Sequence, residues 1–210
     1  MTTLVVLGAV VVASVAWFVL FGRGRDDIWP RTWAIAGALI AYAVLALAVL
    51  GRLDRAIGPI GPTELAAGVG VGAAWLVATH VGHAVLCRLF PSFVDQVKDL
   101  YGLGVGDPAS RVLGPLLVMA VAEELLFRAV IQGSAGFVAG VAAYTMVQFV
   151  ERKWALALAA LLGGIVWGAL YELTGGLVAP VVAHALWTVT LTLVWPLGAR
   201  VTRSRRAAPV

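Results

Sequence analysis

The chain has 210 residues, of which 61% are hydrophobic and only 12% are charged. Soluble domains usually carry about 25% charged residues, so this composition excludes an ordinary soluble protein and predicts a polytopic membrane protein. The formal net charge of +4 does not require a nucleic-acid partner, because arginines that flank membrane spans account for it. The lone Cys87 excludes an internal disulfide.

Seven apolar segments approach the ~20 residues that a helix needs to cross the hydrocarbon core of a bilayer. We therefore expect an all-α membrane protein with about seven transmembrane helices. Glycine-rich runs at 68–72 and 163–164 predict close helix packing in lipid. No internal repeat is visible, which disfavours a transporter built from inverted repeats. The predicted segments are 3–22, 33–50, 64–90, 111–133, 136–150, 154–172 and 177–197.

The basic residues are divided unequally between the two sides of this arrangement. One side holds 12 of the 15 lysines and arginines, whereas the opposite side has only Arg52 and Arg55, and Arg128 lies within a span. The positive-inside rule then predicts an external N-terminus and a cytoplasmic C-terminus. The arginine- and alanine-rich composition favours a bacterial plasma membrane. The residues of the basic side are Arg23, Arg25, Arg31, Arg88, Lys98, Arg111, Arg152, Lys153, Arg200, Arg203, Arg205 and Arg206.

The longest loop, residues 91–108, has an amphipathic pattern. This pattern predicts a short interfacial helix on the cytoplasmic surface. The helix could gate lateral access to the interior, or it could be simple loop packing. Its apolar face carries Phe93, Val97, Leu100 and Tyr101, and its polar face carries Asp95, Gln96, Lys98 and Asp99.

Glu123, Glu124 and Arg128 lie inside the fourth predicted span. A charged side chain at the bilayer centre costs between ~2.5 and ~17 kcal/mol, so such groups are rare and usually functional. Glu124 and Arg128 are four residues apart, which places them on one helical face as a predicted ion pair. Glu123 is rotated by about 100° from Glu124 and has no obvious local partner.

Few other strongly polar side chains lie within the predicted spans. His184 shares a helical face with Thr188, and Tyr144 shares one with Gln148. Counted along their helices, Glu123 and His184 reach depths of ~15 Å and ~10 Å, which are compatible with contact. Glu123 could then take a proton from a water molecule that His184 orients. The alternative is a structural polar network that ties the helices together.

Two motifs resemble those of a known protease family. Glu123-Glu124-x-x-x-Arg128 resembles the first motif of the CPBP family, and residues 175–187, which contain His184, closely resemble its later histidine motif and lead-in. This family comprises type II CAAX prenyl endopeptidases and bacteriocin-processing (Abi) proteins, which are glutamic intramembrane proteases. The resemblance covers roughly residues 111–195.

The resemblance implies a core of four helices, roughly residues 111–197, that encloses a polar cavity. The N-terminal membrane helices and the loop helix, 1–110, would precede this core, and a basic cytoplasmic tail, 198–210, would follow it. By the same resemblance, Glu123 is the base that activates the hydrolytic water, with help from Glu124 and one histidine, His184. Arg128, Tyr144 and Thr188 would support the site.

Two positions depart from the family pattern. In the family's Phe-x-x-x-His motif, this chain has Tyr144 in place of phenylalanine and Gln148 in place of histidine. In the His-x-x-x-Asn/Asp motif, Thr188 takes the place of the asparagine or aspartate. Gln148 can donate a hydrogen bond, for example to an oxyanion, but cannot take up a proton near neutral pH. Two functions stay open: an intramembrane endopeptidase, or a catalytically impaired relative that binds a membrane partner for immunity or regulation.

Either function implies membrane lipid and a membrane-associated peptide or protein as partners, without an organic cofactor. A divalent metal stays possible, with His184, Glu123 and Glu124 as the candidate ligands at the site. His80 and His83 form a weaker candidate metal pair without a clear third ligand, and interhelical hydrogen bonding is the favoured alternative. The sequence does not predict an oligomeric state.

Overall fold

A computed structural model describes residues 1–22, 28–101 and 107–197. Arg23, Arg25 and the predicted basic tail lie outside these residues. The described residues are mainly α-helical, with short 3₁₀ and π segments, and they contain no strand, which confirms the predicted all-α class. The helices are α1 (Thr2–Phe21), α2 (Ile28–Val49), α3 (Pro62–Leu89), α4 (Pro91–Tyr101), α5 (Ala109–Glu124), α6 (Gly133–Ala135), α7 (Phe137–Gln148), α8 (Trp154–Thr174) and α9 (Val178–Val189).

Within the described part of the chain, four helices are long and apolar enough to cross a membrane, namely α1, α2, α3 and α8. The other predicted spans correspond to shorter or interrupted helices. The segments Phe137–Gln148 and Val178–Val194 are apolar but shorter, and α5 continues through a π-helical segment, Leu125–Gln132, into α6. The predicted count of seven is therefore approximate. Large apolar side chains remain exposed on the outer helix faces, as expected of a protein surrounded by lipid.

The acidic stretch lies where helix α5 changes geometry. α5 ends at Glu124, and the π-helical segment Leu125–Gln132 begins at the next residue. Such π segments are rare and occur frequently at functional sites. Nearly every side chain from Ala122 to Gln132 is buried, so this segment is the centre of the helix bundle and its polar groups need protein partners.

Small residues let helix α3 approach helix α9 closely, as the glycine-rich run predicted. A Cβ atom at Gly68 would lie 2.8 Å from the Ala179 carbonyl oxygen, and one at Gly72 would lie 3.0 Å from the Ala183 Cα. Both distances are too short for an ordinary contact. Because Ala183 precedes His184, this packing fixes the position of the helix that carries the histidine.

Residues 91–101 form helix α4, which confirms the predicted amphipathic helix. Phe93 and Val97 are buried, and the Phe93 ring packs 5.1 Å from the ring of Trp154. The Gln96 side-chain oxygen accepts a 3.1 Å hydrogen bond from the backbone N–H of Ala155. These contacts join α4 to the first turn of α8. The side chain of Tyr101 is outside the described residues.

We predict that Gly72→Leu disturbs the contact between α3 and α9, whereas Gly70→Leu does not. Overpacking costs ~1–3 kcal/mol, which corresponds to a fall in Tm of ~2–12 °C for a chain of this size. No described atom lies within 4 Å of the Cβ position at Gly70, so that variant is the matched control. The measurement is thermal unfolding in detergent. Equal Tm values for the two variants would contradict the packing described above.

Candidate active site

Glu124 is a buried carboxylate that connects two cationic or ionisable partners. Its Oε2 lies 3.0 Å from Arg128 Nε, and its Oε1 lies 2.8 Å from His184 Nδ1. The side chains of Glu124 and Arg128 have no solvent exposure. The ion pair predicted from the four-residue spacing is therefore confirmed. Because the carboxylate only accepts hydrogen bonds, it needs both neighbours to offset its burial.

Arg128 holds Glu124 in place and also contacts Tyr144. Its guanidinium carbon lies 5.1 Å from the centre of the Tyr144 ring, which is within the range of a cation–π interaction. Its two terminal nitrogens have no hydrogen-bond partner among the described residues. The guanidinium therefore contacts the site in two ways: its Nε binds Glu124, and its charge lies over the face of the tyrosine ring.

Glu123 faces the interior cavity, and its environment differs from that of Glu124. Its Oε2 accepts a 2.8 Å hydrogen bond from the Tyr144 hydroxyl and lies 3.9 Å from His184 Nε2. Glu123 and His184 are thus close enough to share one small molecule, as their predicted depths allowed. The hydrogen bond from Tyr144 to Glu123 has no counterpart in the sequence pattern, because it depends on how two helices face each other.

His184 uses its two ring nitrogens differently. The sequence interpretation made Glu123 its partner, but the direct hydrogen bond runs from His184 Nδ1 to Glu124, and only Nε2 faces Glu123. Since Glu124 already has the charge of Arg128 beside it, it acts as a fixed acceptor that orients the ring. The indole of Trp167 stacks on the histidine at 5.6 Å and an angle of 15°. Trp167 carried no signal in the sequence.

Gln148 and Thr188, the two departures from the family pattern, both line the cavity. The Gln148 side-chain oxygen accepts a 2.8 Å hydrogen bond from the indole N–H of Trp17 in α1. The Thr188 hydroxyl has no hydrogen-bond partner within the described residues. Sequence reasoning missed Trp17, because one tryptophan in an apolar span looks like any other core residue.

The cavity has a volume of about 390 Å³ and extends from these polar groups to the apolar face of α4. Its far end is lined by Phe93, Val97 and Leu100 of that helix, and its remaining wall is mainly apolar. It thus joins a compact polar end to a long apolar space, a combination typical of sites for small molecules and peptide side chains.

No group of three or more histidine, cysteine, aspartate or glutamate side chains is arranged to hold a metal ion in the described ranges. His80 stacks on Trp195 at 3.7 Å, and His83 Nε2 lies 3.3 Å from the sulfur of Cys87. The first contact joins α3 to the segment after α9, whereas the second lies within α3.

We predict that Arg128→Met lowers the free energy of unfolding by ~3–5 kcal/mol, because it leaves Glu124 as an uncompensated buried charge. The double variant Arg128→Met, Glu124→Gln should recover part of this loss, since both charges are then removed. Arg55→Met is the control, because Arg55 pairs with Asp54 on the exposed surface. Equilibrium unfolding in mixed micelles measures all three. Equal effects at positions 128 and 55 would contradict the buried ion pair.

The chain was compared with known proteins. Residues 106–190 match the family model described as type II CAAX prenyl endopeptidase Rce1-like. No curated protein and no solved structure matches the chain. The matched segment contains Glu123, Glu124, Tyr144, Gln148 and His184, whereas Trp17 lies outside it. Over this segment, the match confirms the predicted resemblance to the CPBP family.

Proposed function

We propose that the protein is an intramembrane endopeptidase that hydrolyses a peptide bond by means of water activated by Glu123. The observation that carries this proposal is that two adjacent carboxylates have different surroundings. Glu124 is held between Arg128 and His184, whereas Glu123 lines the cavity and lies 3.9 Å from His184 Nε2. Unequal environments of paired acids are how enzymes assign different chemical roles to them.

In the proposed reaction, a water molecule binds between Glu123 and the Nε2 side of His184. Glu123 takes one proton from this water while the water oxygen attacks the peptide carbonyl carbon. This attack forms a tetrahedral intermediate with a negatively charged oxygen. The amide N–H₂ of Gln148 donates a hydrogen bond to that oxyanion. Collapse of the intermediate breaks the C–N bond, and Glu123 returns its proton to the leaving amine. The products are a new carboxylate and a new amine.

The proposed substrate is a membrane-associated peptide or protein. The apolar wall of the cavity favours apolar substrate groups, and its far end reaches α4, which lies on the cytoplasmic side in the proposed orientation. That orientation, with the N-terminus outside, follows from the distribution of basic residues. The name of the matched family makes a prenylated CAAX peptide one reasonable probe, and an unmodified apolar peptide is the second.

A second candidate function is a catalytically impaired relative that binds a membrane partner. The observation in its favour is the presence of Gln148 and Thr188 at positions where the family has groups of different chemistry. Gln148 cannot transfer a proton, so the site would keep its shape while it loses part of the machinery. In this case the cavity would serve binding alone.

We predict that Glu123→Gln lowers the rate of peptide cleavage by ~10²–10⁴-fold, because general-base catalysis contributes about this factor. The protein is reconstituted in phospholipid vesicles with a farnesylated CAAX peptide or an apolar peptide, and products are measured by mass spectrometry. Glu172→Gln is the matched control, since Glu172 is exposed and is not among the residues that line the cavity. Cleavage by Glu123→Gln at the wild-type rate would refute the proposed role of Glu123.

We further predict that Gln148→Leu lowers kcat by ~10²–10³-fold, the usual loss when one oxyanion donor is removed. Gln148→His should keep substantial activity, because histidine can also donate a hydrogen bond. The same vesicle assay distinguishes the two candidate functions. If the wild type cleaves neither peptide and Gln148→His does, the impaired relative is the correct interpretation.

A further inference from the structure

Helix α1 contributes one side chain to the polar end of the cavity. Trp17 is only 2% exposed, lines the cavity, and donates its indole N–H to the Gln148 side-chain oxygen at 2.8 Å. Its ring also packs edge-on against Phe127 at 6.1 Å. Because the hydrogen bond and the ring contact both hold the indole, the direction of its N–H bond is fixed. The first helix is therefore part of the site and cannot be regarded only as a membrane anchor.

The chemistry of this contact determines which end of the Gln148 amide is free. An indole nitrogen can only donate a hydrogen bond, and a glutamine amide has one accepting oxygen and one donating nitrogen. Trp17 must therefore engage the oxygen. The amide nitrogen of Gln148 has no hydrogen bond within the described residues, and Gln148 lines the cavity. The donor end is thus left for whatever binds there.

We propose that Trp17 is a positioning residue that holds the Gln148 amide with its N–H₂ group toward the substrate carbonyl. This inference rests on the proposed proteolytic function. Without the indole N–H, the amide can rotate by 180° and present its oxygen to the developing oxyanion, which repels it. Trp17 acts only through Gln148 and does not touch the reacting atoms.

The proposal sets a rule for the residue at position 148. That residue must accept a hydrogen bond from Trp17 and also donate one into the cavity. Glutamine meets both conditions, and so does a neutral histidine, whose second ring nitrogen carries the proton when the first accepts. A glutamate of the same size accepts from Trp17 but, when ionised, has nothing to donate. The rule explains how glutamine can replace the histidine of the family motif.

The first test is a double-variant cycle in the vesicle cleavage assay. We expect Trp17→Phe to lower kcat by about tenfold or more with little change in KM, since an oxyanion donor acts in the transition state. In a Gln148→Leu background, Trp17→Phe should have no further effect. Gln148→Glu should be as slow as Gln148→Leu. Trp33→Phe is the control, because Trp33 is 48% exposed. Independent, multiplicative losses in the two backgrounds would overturn the proposal and indicate a merely structural role.

The second test does not depend on catalysis. In protein labelled with ¹⁵N-tryptophan, the indole N–H signal of Trp17 is assigned by its disappearance in Trp17→Phe. We expect Gln148→Leu to shift this signal upfield and Gln148→Glu to keep it in a hydrogen-bonded range. An unchanged signal in Gln148→Leu would overturn the proposal. If the contact is present but the wild type cleaves neither peptide, the proposed function fails and Trp17 only fixes the amide for binding.

Discussion

The arrangement of this protein depends on the buried contact between Glu124, Arg128 and His184. Two ionised side chains with no exposure would be costly in a bilayer, by several kcal/mol each, without a partner. Their mutual contact, at 3.0 Å, offsets that cost, and the second oxygen of Glu124 is left to orient His184. One carboxylate thereby stabilises the bundle and sets the direction of the imidazole.

The same contact gives Glu123 an environment different from that of Glu124. The two glutamates are adjacent in the chain, but helical geometry points them in different directions, so Arg128 neutralises only one of them directly. Glu123 keeps a hydrogen bond from Tyr144 and faces the cavity. The π-helical segment begins directly after this pair, and the close approach of α3 to α9 holds the histidine opposite it. The fold thus brings one unneutralised carboxylate and one oriented imidazole to the same space.

Local spacing made part of this site predictable. The ion pair between Glu124 and Arg128 and the amphipathic helix α4 both follow from residues three or four positions apart, and the glycine-rich run indicated where α3 packs closely. Local spacing did not predict three other contacts. These are the hydrogen bonds from His184 to Glu124, from Tyr144 to Glu123, and from Trp17 to Gln148. These contacts join residues far apart in the chain. Membrane helices are apolar on all sides, so their sequences carry little information about which faces meet.

The central claim is that Glu123 acts on water in the cavity while Glu124 is enclosed and structural. Chemical rescue tests it most directly: cleavage by Glu123→Ala and Glu124→Ala is measured in vesicles with increasing sodium formate. The account predicts that formate restores part of the activity of Glu123→Ala, because the cavity beside it admits a small carboxylate, and restores none to Glu124→Ala. Rescue of Glu124→Ala, or failure to rescue Glu123→Ala, would contradict it.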